Sequence, residues 1–166
     1  MAKVIYTLGD DISTDIIYPG RYMATVLPTE TPQFAFADIN DLNDLLKSKQ
    51  VPAGSIIVGG KNFGCGSSRE QAVSALKGYE LILVAKNFAR IFLQNSINLG
   101  LQTVTCPTFV AVNDDIVEIT PTVVVNVTSG KSFPVIPLPE ARRAIVEAGG
   151  LIPYTRKRVM AKARVS

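Results

Sequence analysis

Apolar residues along the chain alternate between short β-branched runs and stretches with helical spacing. Residues 4–8 read as a first strand, closed by Gly9-Asp10-Asp11, where a glycine and short carboxylates favour a turn. Asp11, Thr14 and Asp15 then cluster in a loop ahead of Ile16-Ile17, first of all as side-chain turn formers. Pro19-Gly20 marks a second turn, and residues 21–26 lead into Pro28 and Pro32, which break regular structure, so a long surface loop is expected. Asp38 is placed to cap a short helix that carries Ile39, Leu42, Leu45 and Leu46 on one face. Residues 56–58 form a strand that stops at Gly59-Gly60, and a helix over about 68–77 ends at Gly78. The continuous apolar run 81–85 is what a strand buried on both faces requires. Asn87 is placed to cap a helix with Phe88, Ile91, Phe92 and Ile97 that ends near Gly100, and residues 101–105 return as a strand. This β-α-β-α-β alternation predicts a parallel sheet with right-handed crossovers.

Beyond Pro107 the pattern shortens to alternating strands at 109–112, 116–119, 123–127 and 133–136, with turns at Asn113-Asp114-Asp115 and Ser129-Gly130-Lys131. Pro139 opens a last helix over 140–148, and Gly149-Gly150 stops it. The expectation is an α/β fold over residues 1–166 as one domain, a parallel β-α-β core with short antiparallel strands added.

A hydrophobic content of 47% with 19% charged residues suits a folded core. Apolar runs reach five or six residues and the N-terminus lacks the layout of a signal peptide, so a soluble cytoplasmic protein is expected. Five basic residues, Arg156, Lys157, Arg158, Lys162 and Arg164, crowd the last eleven positions, leaving 12 of the 17 basic side chains against all 14 acidic ones. A basic tail on a near-neutral body reads as a solvated or partner-contacting end, not a nucleic-acid surface. With two cysteines, Cys65 and Cys106, and no histidine, the chain has too few ligands for an iron–sulfur cluster and no metal-ligand pair.

The chemistry concentrates in residues 56–70, where Gly59-Gly60 and Gly64-Cys65-Gly66 punctuate a strand-to-helix loop. Ser67 and Glu70 have the spacing of a capping box, which makes Ser67 the expected N-cap and puts Arg69 in the first helical turn. A helix start with free N–H groups beside a guanidinium favours an anion. Three readings fit: a sharp turn with a capping serine, a phosphate loop that lacks either standard glycine pattern, or a carboxylate-binding catalytic site that employs two hydroxyls and a guanidinium. Cys65 ahead of a helix adds a rival thiol chemistry, though no histidine is present to act as its base.

Gly64-Cys65-Gly66-Ser67-Ser68-Arg69-Glu70, with Asp10-Asp11-Ile12-Ser13-Thr14-Asp15 upstream and Lys86-Asn87-Phe88-Ala89-Arg90-Ile91-Phe92 downstream, resembles the swivelling β/β/α domain of the aconitase superfamily. In particular it resembles the separate small subunits of 3-isopropylmalate dehydratases, over roughly residues 3–110, with Gly149-Gly150-Leu151 similar to that family's ending. The resemblance implies a hydro-lyase of leucine biosynthesis that removes and re-adds water on a hydroxy-dicarboxylate and is active only with a large subunit bearing a [4Fe-4S] cluster. It implies Ser67 as the base and Asp15 as the group that orients and charge-balances the site, with Thr14, Ser68 and Arg69 at the substrate. Arg90 and Asn95 match a family pattern and are expected to be structural, and Ile16 stands where many aconitases have a histidine.

In those small subunits the loop matching Tyr22, Met23, Ala24 and Thr25 lines the pocket for the substrate's side group. Homoaconitase-type members place an arginine where Ala24 stands, so an apolar side group is expected here, with Arg21 the one nearby cation able to substitute. A dimethylmalate or homoaconitase-type dehydratase subunit and a non-enzymatic anion- or nucleotide-binding module are the alternatives.

Overall fold

The computed structural model of the protein describes residues 1–163. Its framework is a seven-stranded sheet in the order β4-β3-β2-β1-β5-β6-β7. The strands are β1 Ala2–Thr7, β2 Ile56–Gly59, β3 Ile82–Ala85, β4 Gln102–Thr105, β5 Ile116–Ile119, β6 Val123–Asn126 and β7 Lys131–Pro134. β1 to β4 run parallel, and β5, β6 and β7 continue the sheet antiparallel from the other edge of β1. Past β7 the Ile136 N–H donates to the Thr105 carbonyl at 2.8 Å, so the two edges of the sheet come together and its backbone groups are partly closed off.

Strand alternation sends side chains to two cores. Val4, Ile56, Val58, Val84 and Val104 fill the inside of the curled sheet with Phe109, Val117 and Val124. Ile57 and Leu83 point the other way, onto helices α3 (Glu70–Gly78) and α4 (Arg90–Leu99), against Leu76, Val73 and Phe92. Burial of each such side chain stabilises the fold by about 1.5–3 kcal/mol, and β2 is buried at every position as an interior parallel strand requires. Gly100, with φ of 73°, ends α4 in the left-handed conformation, as its position predicted.

The expected side-chain caps are absent. Helix α2 spans Asn40–Lys47 from Ile39, α3 starts from Arg69, and α4 starts from Ala89, none with a side-chain cap bond. Asp38 instead pairs with Arg21, and the Asn87 side-chain carbonyl accepts from the Asn62 N–H at 2.6 Å. Long-range partners took these two side chains, whereas Ser67 is held off α3 through its main-chain carbonyl, which accepts from the Thr14 hydroxyl. Other departures are local. Residues 14–17 form a short helix, α1 (Thr14–Ile17), capped by Ser13, and not a loop. Residues 109–112 form no strand, because Asp115 turns back to accept from the Val112 N–H at 2.9 Å and the Asn126 side chain at 2.7 Å.

The proline-interrupted segment is only partly a surface loop. It makes 3-10 turns at Gly20–Tyr22 and Thr31–Phe34 and plants Thr31, Ala35 and Phe36 in the core at 0% exposure. The described part of the basic tail is helical as well: α5 (Glu140–Glu147) is followed by α6 (Leu151–Ala163), a helix the sequence pattern did not announce. No helix among the described residues is long and apolar enough to cross a membrane.

Candidate functional site

The three segments that leave the carboxyl ends of β1, β2 and β3 are hydrogen-bonded side by side. Between the first and second, Gly60 N–H donates to the Gly9 carbonyl at 2.9 Å, Lys61 N–H to the Asp10 carboxylate at 2.7 Å, Gly64 N–H to the Ile12 carbonyl at 2.7 Å and Thr14 N–H to the Cys65 carbonyl at 2.8 Å. Between the second and third, Asn62 N–H reaches the Asn87 side chain, Phe63 N–H the Asn87 carbonyl at 3.1 Å, and Ala89 N–H the Phe63 carbonyl at 2.9 Å. The three sequence motifs are therefore one structure. Two glycines are required by this closeness: a Cβ at Gly60 would fall on the Asp10 carboxylate, and at Gly64, whose φ is +81°, it would fall into the Phe92 ring.

The same bonds decide between the readings of the loop. The N–H groups of residues 60 to 64 all point into neighbouring segments, so they are not a nest turned outward for a phosphate. Ser67 is not the N-cap, since α3 begins at Glu70 with Arg69 in the capping position, and the capping box does not form. Arg69 accordingly sits just ahead of the helix and not within its first turn. Cys65 lies five residues before α3, too far to feel its N-terminus, and its carbonyl is occupied by Thr14. The other thiol, Cys106, is buried, which pushes its pKa up, and it donates to the Pro134 carbonyl at 3.2 Å.

The structure brings Thr14, Asp15, Ser67, Ser68 and Arg69 together at the open end of these loops. Thr14 is buried and its hydroxyl donates to the Ser67 carbonyl at 3.0 Å, which leaves the Ser67 and Ser68 side chains exposed. Asn95 of α4 donates to the Ser68 hydroxyl at 3.5 Å, whereas the Ser67 hydroxyl makes no hydrogen bond among the described residues. The Arg69 side chain is 14% exposed and donates through Nη1 to Asp15 and, at 3.1 Å, to the Tyr18 carbonyl. Asp15 is the solvent-facing partner, 64% exposed. None of these residues lines the cavity of about 670 Å3, which lies at the opposite end of the sheet beside Gly54, Leu81 and Gly100.

Residues 22–25 stand beside this cluster on a braced loop. A methyl group built on Gly20 would lie 3.5 Å from Arg69 Nη2 and 3.6 Å from Asp15, so the start of the loop abuts the ion pair. Tyr22 stacks on Phe34 at 4.2 Å, the Met23 carbonyl accepts from Gln71 at 3.4 Å, and the Tyr18 hydroxyl reaches the Tyr22 and Thr25 carbonyls at 3.2 and 3.4 Å. Ala24 is exposed, and no bond ties it directly to Arg69. Arg21 is taken: its guanidinium grips both oxygens of Asp38 at 3.0 and 2.5 Å and lies 4.7 Å over the Tyr22 ring. That bond holds Asp38 below the usual carboxylate range and keeps Arg21 charged. Sequence reasoning missed Tyr18, Gln71 and Asp38 as supports. A tyrosine inside an apolar run was the available signal for the first, because a buried hydroxyl needs a partner.

Comparison with known proteins follows the same residues. The profile of the aconitase C-terminal domain family matches residues 12–108. The 3-isopropylmalate dehydratase small subunit of Methanosarcina mazei is 42% identical over 158 residues, covering 93% of this chain and 95% of that one. The 2,3-dimethylmalate dehydratase small subunit of Eubacterium barkeri is 40% identical over 155 residues, 90% of this chain and 93% of the relative. The crystal structure of 3-isopropylmalate dehydratase from Methanocaldococcus jannaschii superposes with a TM-score of 0.88 at 38% identity, over 99% of this chain and 98% of that one. A match spanning all three zipped loops, and relatives matching nearly end to end, place the chain plainly: it belongs to the aconitase C-terminal domain family, among the 3-isopropylmalate dehydratase small subunits.

Proposed function

We propose that this chain is the small subunit of a cytoplasmic hydro-lyase that interconverts 2- and 3-isopropylmalate in leucine biosynthesis, together with a large subunit that bears a [4Fe-4S] cluster. The observation that carries it is a largely buried guanidinium beside two exposed hydroxyls on an open face, the part of a site that a second polypeptide would close. The hard step of such a reaction removes a proton next to a carboxylate, and charge builds on that carboxylate's oxygens. Arg69 binds this group through a planar fork, while Asp15 and the Tyr18 carbonyl fix the orientation of Nη1. Ser67, freed of any capping duty, is the base: its alkoxide takes the proton and becomes the neutral hydroxyl, and the Arg69 guanidinium lowers the cost of that alkoxide. Ser68 is the hydrogen-bonding neighbour, held by Asn95.

This chain's two thiols do not suit a cluster: Cys106 is inside the sheet core and Cys65 stands alone in the loop. A cluster on the large subunit would supply the Lewis acid for the departing hydroxyl. The neutral loop at 22–25 and the engagement of Arg21 by Asp38 favour an apolar side group over an extra carboxylate. The methyl-bearing substrate is the second reading, supported by the similarity to the dimethylmalate dehydratase subunit, which is 40% identical.

The test is anaerobic co-purification with the native large subunit and assay on both malates. Turnover of 3-isopropylmalate that needs both chains is expected, with iron recovered on the large one. Full-rate dehydration by the iron-free chain alone would overturn the reading. Cys65→Ser is expected to keep most of the complex's turnover, and a near-complete loss would restore the thiol chemistry. Ala24→Arg is expected to admit a substrate with a second terminal carboxylate; no measurable gain with that substrate would show that residues 22–25 do not read the side group.

A further inference from the structure

Tyr18 terminates α1 at 0% exposure, yet its two polar ends face two different parts of the site. Its carbonyl accepts from Arg69 Nη1 at 3.1 Å, and its hydroxyl, on the far side of the ring, lies 3.2 Å from the Tyr22 carbonyl and 3.4 Å from that of Thr25. The ring between them is fixed in the core and meets Phe34 edge-on at 6.2 Å, the same ring on which Tyr22 stacks at 4.2 Å. Outside, the Arg21–Asp38 pair closes the loop from the solvent side. One residue thus ties the cation, through its main-chain carbonyl, to the loop, through its rigid side chain, and its hydroxyl, a donor at neutral pH, has only backbone carbonyls to satisfy.

We propose that Tyr18 is a positioning residue that sets the separation between the guanidinium holding the substrate carboxylate and the loop reading the side group, and thereby sets the side-group size preferred. This rests on the function proposed above. In a hydrophobic pocket one methylene is worth roughly 10–200-fold in discrimination. Release of the loop from its internal strut therefore shows in selectivity and binding before it shows in the proton-transfer step, whose groups are on α1 and on the segment after β2.

The experiment is Tyr18→Phe, which keeps the ring and removes the strut, in the complex with the large subunit. KM for 3-isopropylmalate is expected to rise about tenfold with kcat within about twofold, because the lost bonds act on loop placement. The kcat/KM ratio between 3-isopropylmalate and the methyl-bearing malate is expected to fall by about fivefold or more. A loss confined to kcat with that ratio unmoved overturns the proposal. Asp38→Asn, which loosens the loop at the surface and leaves the core intact, is expected to move the ratio the same way by a smaller factor; a ratio unmoved in both variants also overturns it. Hydrogen exchange on the full chain without any substrate separates this from the function itself. In Tyr18→Phe the amides of residues 20–27 are expected to exchange about tenfold faster while those of β2 to β4 hold, and unchanged exchange there refutes the strut. If the wild-type complex turns over neither malate, the proposed function fails while the exchange result still decides the role of Tyr18.

Discussion

Arg69→Lys is expected to lower kcat/KM of the reconstituted enzyme by about 100- to 1000-fold, the range seen when a positioned donor to a developing anion is lost. The charge is kept, so a point-charge view of the site would forecast a mild effect. The geometry argues otherwise. Nη1 is committed to Asp15 and the Tyr18 carbonyl, and the substrate carboxylate is left to the remaining N–H groups of a planar fork. A lysine ammonium has three N–H donors on a single nitrogen, so it cannot keep both Asp15 and the Tyr18 carbonyl paired and still offer two parallel N–H groups to a carboxylate. The ion pair itself contributes little to stability, because Asp15 is 64% exposed, and the largely buried Arg69 stem is mostly kept by lysine, so a drop in the unfolding midpoint too small to explain the loss of activity is expected. Activity within tenfold of wild type would mean that Arg69 is only a scaffold contact of Asp15.

The parallel half of the sheet was legible because its signal is redundant. Residues 81–85 and 56–58 are apolar at every position, and each lies between helical segments, so burial on both faces and a crossover follow together. That Thr14-Asp15 and Ser67-Ser68-Arg69 lie side by side was expected for a different reason, since they were named through resemblance, not through spacing. Spacing misled where it was most specific. Ser67 and Glu70 have the separation of a capping box, yet the chain at 66–69 is held off the helix by bonds to α1, which no local pattern records. Asp38 and Asn87 failed the same way: each polar group was assigned to the nearest helix and is used by a segment 17 or 25 residues away. The helix over Leu151–Ala163 was hidden by its own composition, a basic run with no apolar face of regular period.

Gly64→Ala is expected to destabilise the chain by about 2–5 kcal/mol, the sum of a left-handed backbone cost and an overpacked core contact. Its φ is +81°, its N–H is bonded to the Ile12 carbonyl, and a Cβ there meets the ring of Phe92, which is 2% exposed and packed on Phe63 and Phe88. At roughly 2–4 °C per kcal/mol for a chain of this size, the midpoint of thermal unfolding drops by about 4–20 °C. Gly130→Ala provides the control. Its φ is +71°, but nothing lies within 4 Å of the added methyl, so it isolates the backbone cost of about 1–2 kcal/mol. Equal losses in the two variants would show that Phe92 yields freely and that the loops are not tightly keyed to the helix beneath them. The larger loss at Gly64 has a consequence at the site: the segment that must give way carries Ser67 and Arg69 three and five residues on. It is bonded on one flank to the strand-end that holds Asp15 and on the other to the start of α4, so displacement at one glycine misplaces every group on the open face at once.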